Sequence, residues 1–98
     1  MTPQGAIRLV ARTMCIPAED ILGKSRVQHT VTARHITTWL LHRKLGLSLN
    51  QTADVLNRDH AAVHHSCKVV DSWLEDRWAY PPGWWHAGRV INRFNRDI

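Results

Sequence analysis

Ser48-Leu-Asn-Gln-Thr-Ala-Asp-Val-Leu-Asn-Arg-Asp-His-Ala-Ala-Val-His-His-Ser-Cys-Lys-Val-Val70 reads as a short helix, a tight polar turn and a second, longer helix. Ser48 as N-cap with Gln51 at the third helical position forms a capping box, in which the two side chains satisfy orphan backbone N–H groups reciprocally. Thr52, Val55 and Leu56 can face inward, and Asn57 suits a left-handed turn position. Asp59 can cap the next helix, its carboxylate accepting amide protons at the positive end of the helix dipole. That helix has an inner stripe of Val63, Cys67, Val70 and Leu74, with Ala61, His65 and Lys68 on the opposite side. Such a pair is the sequence form of a helix-turn-helix, which sets the N-terminal residues of its second helix against base edges in a DNA major groove.

Upstream, the spacing predicts a helix from about Pro3 to Cys15, with Ile7, Val10, Ala11 and Met14 on one stripe. Pro17 restarts the chain. Ala18 to Leu22 reads as a short helix with Glu19 and Asp20 in its first turn, stopped by Gly23. Gly23 to His29 is a polar loop holding Lys24, Ser25 and Arg26. A third helix is predicted over Val31 to Leu45, with Ile36, Trp39, Leu40 and Leu41 inside and Gly46 as terminator. Downstream, Tyr80-Pro81-Pro82-Gly83 breaks the chain, and an amphipathic helix follows over about Trp84 to Arg96 with Val90, Ile91 and Phe94 on its apolar side. No segment alternates convincingly as a strand. The expected fold is all-α: a small helical bundle with a helix-turn-helix and an extra C-terminal helix. Residues 1–98 are expected to form one domain, with a core unit over 1–76 and a Trp-rich extension over 77–98.

Ninety-eight residues can bury one core but not a core plus a large catalytic cavity. Residues 1–70 hold nine Lys/Arg and four Asp/Glu, whereas residues 71–98 hold four of each. The whole positive excess therefore accompanies the helix-turn-helix, and a basic face favours polyanions through counterion release. Cys15 and Cys67 are too few and too far apart for a disulfide framework. With no apolar run of membrane-spanning length and no signal-peptide pattern, a cytoplasmic, nucleoid-associated setting is expected.

At Leu22-Gly-Lys-Ser-Arg26, Ala33-Arg-His-Ile36 and Arg58-Asp-His-Ala-Ala-Val-His-His-Ser-Cys67, the chain resembles the DNA-binding C-terminal domain of the bacterial replication initiator DnaA. The likeness covers roughly Ile7 to Val70, and its most specific part is the match to the family signature Arg-Asp-His-Thr-Thr-Val-x-His-Ala-Cys. The resemblance implies an all-helical bundle whose basic loop touches phosphates and the minor groove while the second motif helix enters the major groove. It implies double-stranded DNA as partner, with short asymmetric sites at origins and some promoters. Carried over by position, Asp59 and His60 would read bases, with Arg58 positioning or reading alongside them. Lys24, Ser25, Arg26 and Arg34 would hold phosphates, with Lys68 as a further candidate. Ala61 and Ala62 stand where the family has two threonines, so two hydroxyls are gone, though Ala61 can still meet a thymine methyl. Thr32 stands at the place of a minor-groove arginine, and Asn57 replaces a glycine pair.

No Gly-rich phosphate loop of the Walker type occurs, so no enzymatic activity and no cofactor are expected of these residues. His60, His64 and Cys67 have zinc-compatible spacing, but Cys67 belongs to the inner stripe and no fourth ligand is evident, so no metal is expected. Trp73, Trp78, Trp84 and Trp85 gather around the Pro-Pro turn and are expected to pin the last helix to the bundle. The function that follows is sequence-directed duplex DNA binding of bacterial or phage type, in replication or its regulation. The rivals are an initiator-like module that binds replication proteins and a transcriptional regulator.

Overall fold

The computed structural model describes residues 1–75 and 84–97. Six helices occur among them: α1 (Pro3–Met14), α2 (Ala18–Leu22), α3 (Gln28–Trp39), α4 (Leu49–Leu56), α5 (His60–Glu75) and α6 (Trp84–Asp97), with a π-helical turn over Leu40–Lys44 continuing α3. The fold is all-α, as the patterning predicts.

Local chemistry sets the helix ends. Thr2 caps α1 by accepting the Gly5 N–H at 3.0 Å, and Pro3 occupies the first turn, where its missing N–H is harmless. The helix stops one residue earlier than expected because Cys15 takes left-handed backbone angles (φ 56°). Its N–H and that of Ile16 then return to the Arg12 and Ala11 carbonyls, a Schellman closure. α3 begins earlier than expected, at Gln28, and widens at its end: the Leu45 N–H bonds the Leu40 carbonyl at 2.9 Å. This wider turn lets consecutive Leu40 and Leu41 both be fully buried in different clusters. Gly46 (φ 75°) reverses the chain, and His42 Nδ1 pairs with the Leu47 carbonyl at 2.7 Å.

The main core joins Leu9, Val10 and Met14 of α1, Ile21 of α2, Ile36 and Trp39 of α3, Val70 and Trp73 of α5, and Val90 and Phe94 of α6. A second cluster of Ala6, Leu41 and Leu56 and a third of Ala53, Val63 and Cys67 seat α4. The inner stripe of α5 departs from expectation at its end. Trp73 is 3% exposed while Leu74 is 43% exposed. Both positions continue the stripe by helical spacing, and the larger ring takes the inner one, its centroid 6.1 Å from that of the His35 ring in an edge-to-face arrangement. Asp71 locks α5 to α3, its Oδ1 accepting from Trp39 Nε1 at 2.8 Å and its Oδ2 from Arg43 Nη2 at 2.7 Å. Trp78 and the rings of Trp84 and Trp85 lie outside the described residues.

Phe94→Ala should cost about 3–5 kcal/mol, the usual loss for emptying a buried aromatic site, whereas Leu74→Ala should stay within about 0.5 kcal/mol. Urea unfolding of the two variants checks both; an unchanged midpoint for Phe94→Ala would mean that α6 is not docked in solution.

Candidate nucleic-acid interface

α4 carries the expected capping box: Gln51 N–H donates to Ser48 Oγ at 3.0 Å and Ser48 N–H to Gln51 Oε1 at 2.9 Å. α4 ends on Asn57 (φ 53°), whose successor Arg58 donates its N–H to the Ala53 carbonyl at 3.0 Å. This second Schellman closure turns the chain within a few residues into α5. Asp59 Oδ1 accepts the Ala62 N–H at 2.7 Å, so the expected helix cap is in place. Asp59, His60 and Ala61 are exposed at the start of α5, and Ala62 is half-buried. Lys68, also exposed, lies eight residues beyond His60, about 12 Å along the helix.

The basic loop between α2 and α3 exposes Lys24, Arg26 and Val27, while Ser25 is half-buried and its Oγ accepts the Val27 N–H at 3.3 Å. Two arginines from elsewhere hold its backbone. Arg34, only 9% exposed, donates from Nε to the Ile21 carbonyl at 2.8 Å, from Nη1 to Ser25 at 2.9 Å and from Nη2 to Asp20 at 3.0 Å. Arg58 Nη2 donates to the Gly23 carbonyl. Where a phosphate-holding role is expected of Arg34, its guanidinium is turned inward onto backbone carbonyls. Burial, and secondarily the charge of Arg58, lowers the Arg34 pKa. Thr32, at the place of the family's minor-groove arginine, is buried and bonds the Gln28 carbonyl at 2.9 Å.

Arg34, His35, Arg58, His65 and Ser66 line a cleft between α3 and α5. His35 Nδ1 and Ser66 Oγ are hydrogen-bonded at 2.8 Å, and the His35 ring lies edge-on to His65 at 5.9 Å. Burial first, then His65 and Arg34, lowers the His35 pKa from 6.5 to about 4, so the ring is neutral at pH 7. Sequence reasoning missed this pair. A serine falling inside the Val63–Cys67–Val70 stripe was the available signal, because a buried hydroxyl requires a partner. Cys67 is buried, which pushes its thiol pKa up, and no group of metal-compatible side chains forms among the described residues.

The bacterial DnaA protein helix-turn-helix family matches residues 3–70. The chain belongs to that family. With it comes DNA binding in replication initiation as the family's role. Among proteins to which the chain is similar are the chromosomal replication initiator protein DnaA 2 of Chlamydia caviae, 34% identical over 76 residues (78% of this chain and 16% of that protein), and DnaA of Campylobacter concisus, 36% identical over 70 residues (70% and 16%). DnaA of Campylobacter curvus is 34% identical over 74 residues, 74% of this chain and 17% of its own length. The chain thus spans about 16–17% of the length of these curated DnaA relatives. No helix among the described residues is long and apolar enough to cross a membrane. The DnaA motif residues Arg58, Asp59 and His60 and the basic loop adjoin directly through the Arg58–Gly23 bond.

Neutral His35 makes stability pH-dependent. Its folded pKa lies below the unfolded value, so the stabilisation is complete above pH 6.5 and is lost as pH falls from 6.5 towards 4. After allowance for solvent screening of a half-buried ring, the loss is on the order of 1–2 kcal/mol. Chemical unfolding at pH 7 and pH 4.5 should show it, and the comparison with His35→Gln should show that difference reduced.

Proposed function

We propose that this chain is a sequence-directed duplex DNA-binding domain. The first turn of α5 would enter the major groove while the basic loop lies on the adjoining backbone. The observation that carries this is the bond from Arg58 to Gly23, which makes the start of α5 and the loop one continuous surface. Lys24 and Arg26 project from that surface and would contact phosphates. The Ser25 hydroxyl can still donate to a phosphate while its oxygen accepts from Val27.

On α5, Asp59 uses one carboxylate oxygen as a cap and would present the other to an amino group of cytosine or adenine. His60 would donate to a base acceptor or pack on a thymine methyl. Ala61 supplies a methyl of its own, and Ala62 lets the helix approach closely. Lys68 would take a phosphate farther along the groove. The setting is the bacterial cytoplasm and nucleoid, in replication or its regulation, and replication proteins are the partners this placement would bring alongside.

Binding to duplex DNA should weaken steeply with salt. Neutralising roughly 3–6 phosphates gives a log–log slope of about −3 to −5. Within that binding, Lys24→Ala should weaken all sequences alike and reduce the slope by about one unit, whereas His60→Ala should lose about 1–3 kcal/mol of discrimination at one base position. Titrations at several salt concentrations and competition between selected and random duplexes measure both. A flat salt response, or no binding at low salt, rejects DNA binding; an unchanged specificity ratio in His60→Ala removes His60 as a base reader.

Asp59 should separate into two roles. Asp59→Ala should cost about 1 kcal/mol of folding stability through the lost cap. Asp59→Asn and Asp59→Ser keep a capping oxygen and should fold nearly as well as the parent, yet select altered sequences from a random pool. Parent-like sequence preference in all three variants would confine Asp59 to capping.

A further inference from the structure

We infer that Arg58 is a positioning residue that places the basic loop for Lys24 and does not itself hold a phosphate; this rests on the DNA-binding reading above. The backbone from the end of α2 into the loop, Asp20 to Ser25, has four carbonyls bound by arginine N–H groups. Arg34 takes those of Asp20, Ile21 and Ser25 from α3, on the bundle side. Arg58 alone takes Gly23, and it does so from the turn that starts α5. Gly23 immediately precedes Lys24 in the chain. The bond therefore ties the residue next to the candidate phosphate contact to the residue next to the Asp59 cap.

Charge and burial favour this role. Arg58 is half-buried, whereas Lys24, Arg26 and Lys68 are exposed. Among the described residues neither Arg34 nor Arg58 faces a carboxylate, whereas Arg43 is paired with Asp71. The two guanidiniums line the same cleft, and their repulsion is offset by the carbonyl dipoles they share out. Drawing the Arg58 guanidinium away from Gly23 to reach a phosphate would forfeit that bond and release the loop that Lys24 needs.

A double-mutant cycle read by DNA affinity tests this. Parent, Lys24→Ala, Arg58→Ala and the double variant are titrated with one duplex at several salt concentrations, beside a control cycle that replaces Lys24 by Lys68. Lys24→Ala should weaken the parent roughly 3–10-fold. Arg58→Ala should weaken it at least as much, and adding Lys24→Ala to Arg58→Ala should change Kd less than about twofold, with the same salt slope. Lys68→Ala, away from the loop, should remain multiplicative with Arg58→Ala; a general structural collapse would couple to both lysines. Thermal unfolding verifies each fold, and if Arg58→Ala does not fold, Arg58→Met keeps the packed stem without the donors in the same cycle. Multiplicative losses for Lys24 and Arg58, each with its own drop in slope, would make Arg58 a phosphate contact and overturn the inference. So would parent affinity in Arg58→Ala, or equal coupling to Lys24 and Lys68. Failure of the parent itself to bind DNA would instead reject the DNA-binding reading, and the inference with it.

Discussion

A guanidinium withdrawn from water must find acceptors, and here the acceptors are backbone carbonyls at the end of α2 and in the loop that follows it. Arg34 stays charged inside the bundle because Asp20, Ile21 and Ser25 each offer an oxygen within 3.0 Å. The loop in turn has a defined path because it must bring those oxygens to one point. A connection of a few residues with no regular structure would otherwise have little to order it. The place where α2 passes into α3 thus follows from a single buried charge. Replacing that charge by a neutral side chain of similar length would leave the Ile21 and Ser25 carbonyls to find water, with nothing to draw them together.

The other half of the surface depends on how α5 sits against α3. Three kinds of contact set that pairing. Val63, Val70 and Trp73 bury apolar surface, the His35–Ser66 pair satisfies two polar groups inside the interface, and Asp71 is held by Trp39 and Arg43 at the far end. Polar contacts at Ser66, near the middle of α5, and at Asp71, towards its end, resist sliding of the helix along its axis in a way that aliphatic packing alone does not. A slip of one residue would rotate the first turn of α5 by about 100° and carry His60 off the exposed face. The desolvated, neutral imidazole of His35 is part of how the register of the reading helix is kept.

Much of this was legible in the sequence, for identifiable reasons. Ser48 with Gln51, Asn57, and Asp59 three residues before Ala62 are local signals, whose chemistry is complete within a few residues, and each is found in its expected geometry. Stripes at 3/4 spacing placed Val10, Ile36, Val63, Val90 and Phe94 inside. What stayed hidden was long-range. Arg34 has the same helical position whether its flexible stem turns out to a phosphate or in to a carbonyl, and only the folded loop decides. Leu74 and Trp73 continue the α5 stripe equally well, and the space beside His35 selects the ring. The π-helical turn at Leu40–Lys44 depends on two separate clusters that each require a leucine, which no local propensity encodes. The resemblance of Arg58-Asp59-His60 to the DnaA signature indicated the family but not that Arg58 faces Gly23.

These assignments change how the basic charge should be counted. The excess over residues 1–70 suggests a broad cationic face, but several of its members are already engaged. Arg34 is buried in the loop, Arg58 faces Gly23, and Arg43 is paired with Asp71. Arg8 and Arg12 stand on α1, outside the turn and the basic loop, and Lys44 lies over the Trp39 ring at 5.6 Å. The cations that project from the candidate interface reduce to Lys24, Arg26 and Lys68, helped by the positive end of the α5 dipole. Counterion release scales with phosphates neutralised and not with net charge. On the proposed DNA-binding reading, affinity from the backbone would accordingly be modest, and discrimination would come from a small set of base-edge groups at Asp59, His60 and Ala61. Ala61 and Ala62 bring methyls and no hydroxyls to that set, so on the same reading it would rely on methyl packing there, a balance that favours thymine-containing steps at the positions facing Ala61.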